Sequence, residues 1–226
     1  MKIDIISAVP KIFGDFFTTS IIGKAIENHI AEIKVHDLRN YAINKFGQID
    51  DAPYGGGAGM VLMPKPLDDA IQYCLSQNTY DEIIFFLPEG NKINQAMVNN
   101  YSQAKKLLMV CGHYKGIDQR IVEQYATKII SIGDFVVTGG ELPAALFIDA
   151  IIRVCPGAIG NEQSALEDSF QDNMLSPPVY TRPPLFNNQA VPEILLSGNH
   201  QKIAEWKHSQ GMQKTLKLRP DLLDPN

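Results

Sequence analysis

"KIISIGDFVVTGGELPAALFIDAIIRV", residues 128–154, decides how the rest of the chain is read. Its opening, "KIISIG" (128–133), is a short β-branched run of the kind that suits a strand. "IGDFVVTGGELP" (132–143) supplies glycines for a tight backbone, two acids and a closing proline. "ELPAALFIDAIIRV" (141–154) has apolar residues nearly all round, which predicts a deeply buried helix, with Pro143 expected to start it. A strand that passes through a glycine turn into a buried helix is one unit of an α/β sheet.

The same alternation runs upstream. "KIDIIS" (2–7) precedes an amphipathic stretch from Pro10 to Asn28, and "AEIKVHDL" (31–38) precedes a loop carrying "APYGGGAGM" (52–60). "PKPLDDAIQYCLSQ" (64–77) has helical spacing at Leu67, Ala70, Ile71 and Cys74. Then come "EIIFFLP" (82–88), helical "INQAMVNNYS", "KLLMVCG" (106–112) and helical "IDQRIVEQYA" (117–126). Strands alternating with helices predict an α/β domain with a largely parallel sheet over residues 1–157. "GAIGNEQSALEDSFQDNM" breaks the pattern, so residues 158–175 read as a flexible linker with one short helical turn. Beyond it, 176–226 form a small appendage, helical from about residue 192.

Composition sets the outer bounds. The 226 residues are 45% hydrophobic with a formal net charge of -5, as expected of a soluble chain and not of a polycation that coats nucleic acid. No uncharged apolar run approaches membrane-spanning length. "MKIDIISAVPKIF" has Asp4 inside its apolar run and reads as a first strand, not a leader. Cys74, Cys111 and Cys155 show no metal-ligand spacing and cannot all pair, so buried inert thiols in a reducing cytoplasm are expected. Residues 197–226 carry Lys202, Lys207, Lys214, Lys217, Arg219, His200 and His208 against Glu205, Asp221 and Asp224. That tail fits a solvated helical face or a phosphate-facing one.

Three late strands end in glycine turns: "LPEG" (87–90), "CGHYKGID" (111–118) and "IGDFVVTGGELP" (132–143). Each is readable as a plain tight turn. Together, at carboxyl strand ends, they are also readable as one ligand pocket. They match neither a Walker loop nor a dinucleotide turn. With no lysine in "TGGELP" and Glu141 beside it, a neutral or cationic small molecule suits the cradle better than a nucleoside triphosphate.

Taken together, "YGGGAGM" (54–60), "CGHYKGIDQR" (111–120), "SIGDFVVTGGELPA" (131–144), "PGAIGNEQSALEDSF" (156–170), "YTRP" (180–183) and "LLSGNH" (195–200) resemble the bacterial tRNA (guanine-N1)-methyltransferases that modify position 37. The resemblance spans essentially the whole chain. It implies a SPOUT-type α/β domain with a trefoil knot, joined by the linker to a helical tRNA-binding C-terminal domain. It further implies a cytoplasmic homodimer with shared active sites that binds the tRNA anticodon stem-loop. Periodicity shows none of this, and general topology rules argue against knots.

By the same resemblance, the glycine turns hold S-adenosylmethionine through Leu87, Pro88, Glu89, Gly90, Gly112, Tyr114, Ile132, Gly133, Phe135, Val137, Gly139, Gly140 and Pro143. A pocket without Lys or Arg suits the cationic sulfonium. Asp168 is implied as the base that removes the guanine N1 proton and Arg153 as the group stabilising charge on O6. Read without the family, Asp168 is a linker acid or helix cap and Arg153 a helix-end charge. The base is expected to flip into the cleft, with the linker closing over it.

Asp51, Tyr54, Gly55, Ser169, Tyr180, Arg182, His200 and Lys202 are the implied RNA contacts, and Lys115, a departure from the family, is a further candidate to pair with a phosphate. The family's transfer is assisted by Mg2+, but no ligand cluster in the sequence places an ion. His113 and Lys115 stand where the family often has Arg and Glu, and Ser176, Pro177 and Val179 where it often has Asp, Cys and His. Another SPOUT reaction, such as ribose 2′-O-methylation, and a silent RNA-binding protein are the alternatives.

Overall fold

A computed structural model describes residues 1–160 and 167–223. The chain divides into two units, Met1–Glu162 and Gln163–Asn226.

The first unit is an α/β sandwich. Its sheet contains β1 (Lys2–Ser7), β2 (Glu32–Asp37), β5 (Glu82–Lys92), β6 (Lys106–Cys111) and β7 (Lys128–Ser131) in the order β2-β1-β6-β5-β7, every pairing parallel. A two-stranded ribbon, β3 (Asp50–Asp51) with β4 (Val61–Leu62), brackets the "APYGGGAGM" loop. Four helices lie between the strands, α1 (Ser20–Glu27), α2 (Pro64–Gln77), α3 (Gln95–Tyr101) and α4 (Gln119–Tyr125), and α5 (Glu141–Arg153) follows β7.

Period-two alternation along each strand splits the core in two. Ile3, Ile5, Ile84, Phe86, Leu107 and Met109 face one side, where α5 contributes Phe147, Ile148, Ile151 and Ile152. Ile6, Phe85, Leu108 and Val110 face the other, against Leu67, Ala70 and Ile71 of α2 and Ile121 and Val122 of α4. Local signals set the helix ends. Asn94 Oδ1 accepts from the Met97 amide at 2.9 Å, and Asp118 Oδ1 from the Arg120 amide at 3.0 Å, each supplying a partner to an orphan donor of the first turn.

Three readings of the sequence need correction. The amphipathic stretch from Pro10 is not one helix: a 3-10 turn, Pro10–Phe13, ends at Gly14 with φ +41, and α1 begins only at Ser20. Helix α5 begins at Glu141, two residues before Pro143. "LPEG" is not a simple strand-end turn, because β5 runs on to Lys92 around a bulge in which Ile130 of β7 pairs with both Phe86 and Asn91. Of the expected linker, residues 161–166 lie outside the described residues, as does Asp224 of the tail.

One polar cluster is built into the α2 side of the sheet. Asp4 is 2% exposed; its carboxylate accepts from His36 Nε2 at 2.7 Å and from the Tyr80 hydroxyl at 2.8 Å. Burial pushes the Asp4 carboxyl up, but the bonds from His36 and Tyr80 and the charges of His36 and Lys2 outweigh it, leaving the group below its ordinary range. A depressed carboxyl contributes stability above about pH 4, the unfolded value, and loses it as pH falls through the lower folded value. Asp4→Asn is therefore expected to cost about 1–3 kcal/mol near neutrality. Urea titrations at several pH values should show that penalty shrinking below about pH 4; a penalty constant with pH would refute the assignment.

The cysteines behave as inert core. All three are unpaired and buried. Burial raises the Cys74 thiol to about 11, with Asp4 adding to it; burial and the charge of Glu141 raise Cys111 well above its usual value.

The second unit is small and built on one long helix. A hairpin of β8 (Leu185–Phe186) and β9 (Gln189–Ala190) precedes α6 (Glu193–Leu196) and α7 (His200–Leu218). The expected helical tail is thus interrupted, at Gly198 with φ +71, and Asn199 caps α7 by accepting from the Lys202 amide at 3.2 Å. Segment 174–177 packs along α7. The Leu175 amide donates to Thr215 Oγ1 at 2.9 Å, Lys214 Nζ donates to the Ser176 carbonyl at 3.0 Å, and a Cβ on Gly211 would stand 3.0 Å from the Leu175 carbonyl.

Candidate cofactor pocket and substrate residues

At the bulge of β5 and the carboxyl ends of β6 and β7 the three glycine-bearing segments meet one cavity of about 130 Å³. Leu87 and Pro88 line it from the β5 bulge, Gly112 and Tyr114 from the turn after β6, and Ile132, Phe135, Val137, Gly139, Gly140 and Pro143 from the segment after β7. Glu89, Gly90 and Gly133, expected beside them, are not on its walls. Gly90 has another duty: a Cβ there would lie 2.5 Å from the Ile130 amide nitrogen, so glycine lets the bulge close against β7.

The second and third segments are joined directly. The Gly140 amide donates to the Gly112 carbonyl at 2.6 Å, and His113 bridges to Gly139. A Cβ on Gly140 would sit 2.8 Å from the Gly112 nitrogen and 2.9 Å from Cys111 Cα. The wall is thus backbone against backbone, with room for no side chain at this crossing.

Under that wall lies Glu141, completely buried. Its Oε1 accepts from Ser7 Oγ at 2.8 Å, and Ser7 Oγ accepts from the Val9 amide at 3.0 Å. Oε2 makes no hydrogen bond and stands 3.6 Å from His113 Nδ1, which is likewise buried and unbonded. The sequence placed an acid near the cradle but could not show it sealed beneath. His113 itself was not among the expected contacts, yet it lines the cavity. Nor is the pocket free of lysine. Lys115 reaches its wall because the turn after β6 folds back; the Lys115 amide donates to the Met60 carbonyl at 2.9 Å, and its side-chain stem covers Gly59.

The remaining expected residues are dispersed. Asp51 lies on β3, while Tyr54 is fully exposed and Gly55, at φ +84, has open space around it. Arg153 ends α5. In the second unit Asp168 lines a depression of about 260 Å³ with Glu167, Asp172, Ser176, Lys207 and His208. Ser169 is engaged internally: its hydroxyl pairs with Ser176 Oγ at 3.0 Å and accepts from the Ser176 amide at 3.0 Å. Tyr180 and Arg182 border a separate depression with Val191 and Leu195, and His200 and Lys202 lie exposed on the first turn of α7. Among the described residues no group of three or more His, Cys, Asp or Glu could hold a metal ion, and no helix is long and apolar enough to cross a membrane.

The family model described as "tRNA (Guanine-1)-methyltransferase TrmD" matches residues 1–225. A tRNA (guanine-N(1)-)-methyltransferase of Christiangramia forsetii is 52% identical over 224 residues, covering 99% of each chain. The enzyme of the same name from Bacteroides thetaiotaomicron is 51% identical over 224 residues, covering 99% of this chain and all of the other. That of Flavobacterium psychrophilum is 47% identical over the same length and with the same coverage.

Proposed function

The chain belongs to the tRNA (guanine-1)-methyltransferase family, and on that premise we propose that it methylates N1 of guanosine 37 in tRNAs that carry guanosine at position 36, using S-adenosylmethionine. The observation that carries the reading is the cradle of crossed backbone turns over the buried Glu141 carboxylate. Backbone walls admit a flat heterocycle closely, and an acidic side chain beneath them suits a cationic ligand better than an anionic one. When bound, the donor supplies a methyl group on a positively charged sulfur.

Neutral guanine carries a proton on N1, so that nitrogen attacks only as the proton leaves. Asp168 is the acceptor in this reading, and Arg153 opposes the charge that builds on O6. A carboxylate is a weak base for this proton and needs the second group, whose guanidinium keeps its charge and presents a donor fork. The two residues belong to different units. Tyr54, Gly55, Lys115, Arg182, His200 and Lys202 are exposed, as contacts to an RNA must be, and Asp51 at the foot of the "APYGGGAGM" loop is offered for the nucleotide at 36. Ser169 is better assigned to holding segment 174–177 in place.

Apolar side chains on α5, Leu142 and Leu146, are half exposed, as is nearby Ile12. This supports a second copy of the chain covering that face; active sites completed across that interface and a trefoil knot in each first unit are part of the same proposal and rest on the family alone. Light scattering that gives the mass of two chains in solution agrees with this; the mass of one refutes it.

Two transcripts that differ only at position 36, guanosine against another base, test substrate and site together. Mass mapping should place the methyl on N1 of guanosine 37 in the first transcript alone. A ribose 2′-O product would overturn the reading in favour of a different reaction, and tRNA binding without transfer would favour a silent RNA-binding protein.

A further inference from the structure

The buried Glu141–His113 contact is left unused by the chemistry above, and its geometry has one economical explanation. A sealed carboxylate oxygen without a donor is costly, and so is a sealed ring nitrogen without a partner. Here the two orphans face each other across 3.6 Å. Nothing intervenes because residue 139 is glycine; a Cβ there would lie 2.3 Å from Glu141 Oε2 and 2.5 Å from His113 Nδ1. Ser7 fixes the other carboxylate oxygen, so Oε2 keeps its aim.

A proton on Nδ1 satisfies both atoms once a small rotation of the His113 side chain closes the gap by a few tenths of an ångström. With the carboxyl ionised, a bare Nδ1 satisfies neither. The His113 side chain is otherwise 22% exposed and lines the cavity, while its Nδ1 is sealed.

We propose that Glu141 is a positioning residue that holds His113 in the tautomer protonated at Nδ1, so that Nε2 is left as a hydrogen-bond acceptor for an N–H or O–H group of the methyl donor. Recognition of the donor then passes through a carboxylate–imidazole relay built on Ser7, Gly139 and Glu141. A carboxylate that orients an imidazole through one nitrogen determines what the other nitrogen can do. The inference rests on the pocket reading given above.

The first test needs no ligand. Two-bond ¹⁵N–¹H correlation spectra of the ligand-free protein should show His113 protonated on Nδ1 and bare on Nε2, its signals identified by their loss in His113→Ala. A protonated Nε2, alone or together with Nδ1, overturns the relay. The second test uses Glu141→Gln, whose amide oxygen can still accept from Ser7 while its NH2 donates to Nδ1 and reverses the tautomer. Calorimetry should show S-adenosylmethionine and S-adenosylhomocysteine each binding about tenfold more weakly to Glu141→Gln and to His113→Ala. The double variant should lose no more than either single one. Unchanged affinity in a folded Glu141→Gln, or losses that simply add, would sink the proposal. If wild type binds neither ligand, the pocket reading itself fails; if wild type and variants bind alike, only the relay fails. Should Glu141→Gln not fold, the wild-type spectrum and His113→Ala still decide.

Discussion

Gly140→Ala is expected to lower the affinity for S-adenosylmethionine by about tenfold, the scale of one lost hydrogen bond, and to destabilise the first unit by about 1–3 kcal/mol through overpacking. Backbone strain is not the cause, since Gly140 has φ -75 and ψ -5, which any L-residue adopts. The cause is the crossing itself. A methyl group would stand 2.8 Å from the Gly112 nitrogen and 2.9 Å from Cys111 Cα, and both are main-chain atoms that cannot swing aside. The two turns must part, breaking the 2.6 Å hydrogen bond from the Gly140 amide to the Gly112 carbonyl. Those turns are also the cavity wall. Gly160 is the control for stability, because a Cβ there meets nothing within 4 Å. Calorimetric titration with the donor and thermal unfolding of both variants check the prediction; equal behaviour of the two alanines would refute the close crossing.

Asp168→Asn is expected to reduce methyl transfer by about 10²–10⁴-fold while leaving donor affinity unchanged. The amide preserves shape and most hydrogen bonding but cannot take the N1 proton. Donor binding is spared because Asp168 belongs to the second unit, whereas the donor cavity is lined wholly by the first. Single-turnover transfer to a tRNA transcript, with calorimetry on the same preparation, separates the two effects. Transfer that persists undiminished would remove Asp168 from the role of base. A fall in donor affinity matching the fall in rate would make its role structural.

Much of the architecture is legible in the sequence because burial imposes periodicity. The β-branched runs around Ile3, Val35 and Ile130, the apolar run around Leu108 and the apolar circumference of α5 announce their elements directly. What escapes is set by partners distant in the chain. "LPEG" has the composition of a plain turn, and only the backbone of Ile129 and Ile130 against Gly90 makes it a bulge in a strand that continues. Strand order is equally invisible, since β5 and β6 look alike as apolar runs.

The site follows the same rule. Gly139 and Gly140 stand out because glycine pairs are conspicuous, so the cradle is found from sequence. The depth of Glu141 and the approach of His113 depend on how β1, β6 and α5 meet, and no local pattern records it. Ser169 shows the converse. It sits inside a motif that suggests substrate contact, yet its hydroxyl is occupied in holding Ser176.

The bulge in β5 has a consequence for engineering. Because Ile130 pairs with Phe86 on entry and with Asn91 on exit, the excursion over residues 87–90 begins and ends at one point on β7. Lengthening it between Pro88 and Glu89 would leave the register on both sides untouched, and Ile93 would still donate to the Ser131 carbonyl. One lip of the pocket can therefore be recut to admit a bulkier donor analogue without redesigning the sheet that carries it.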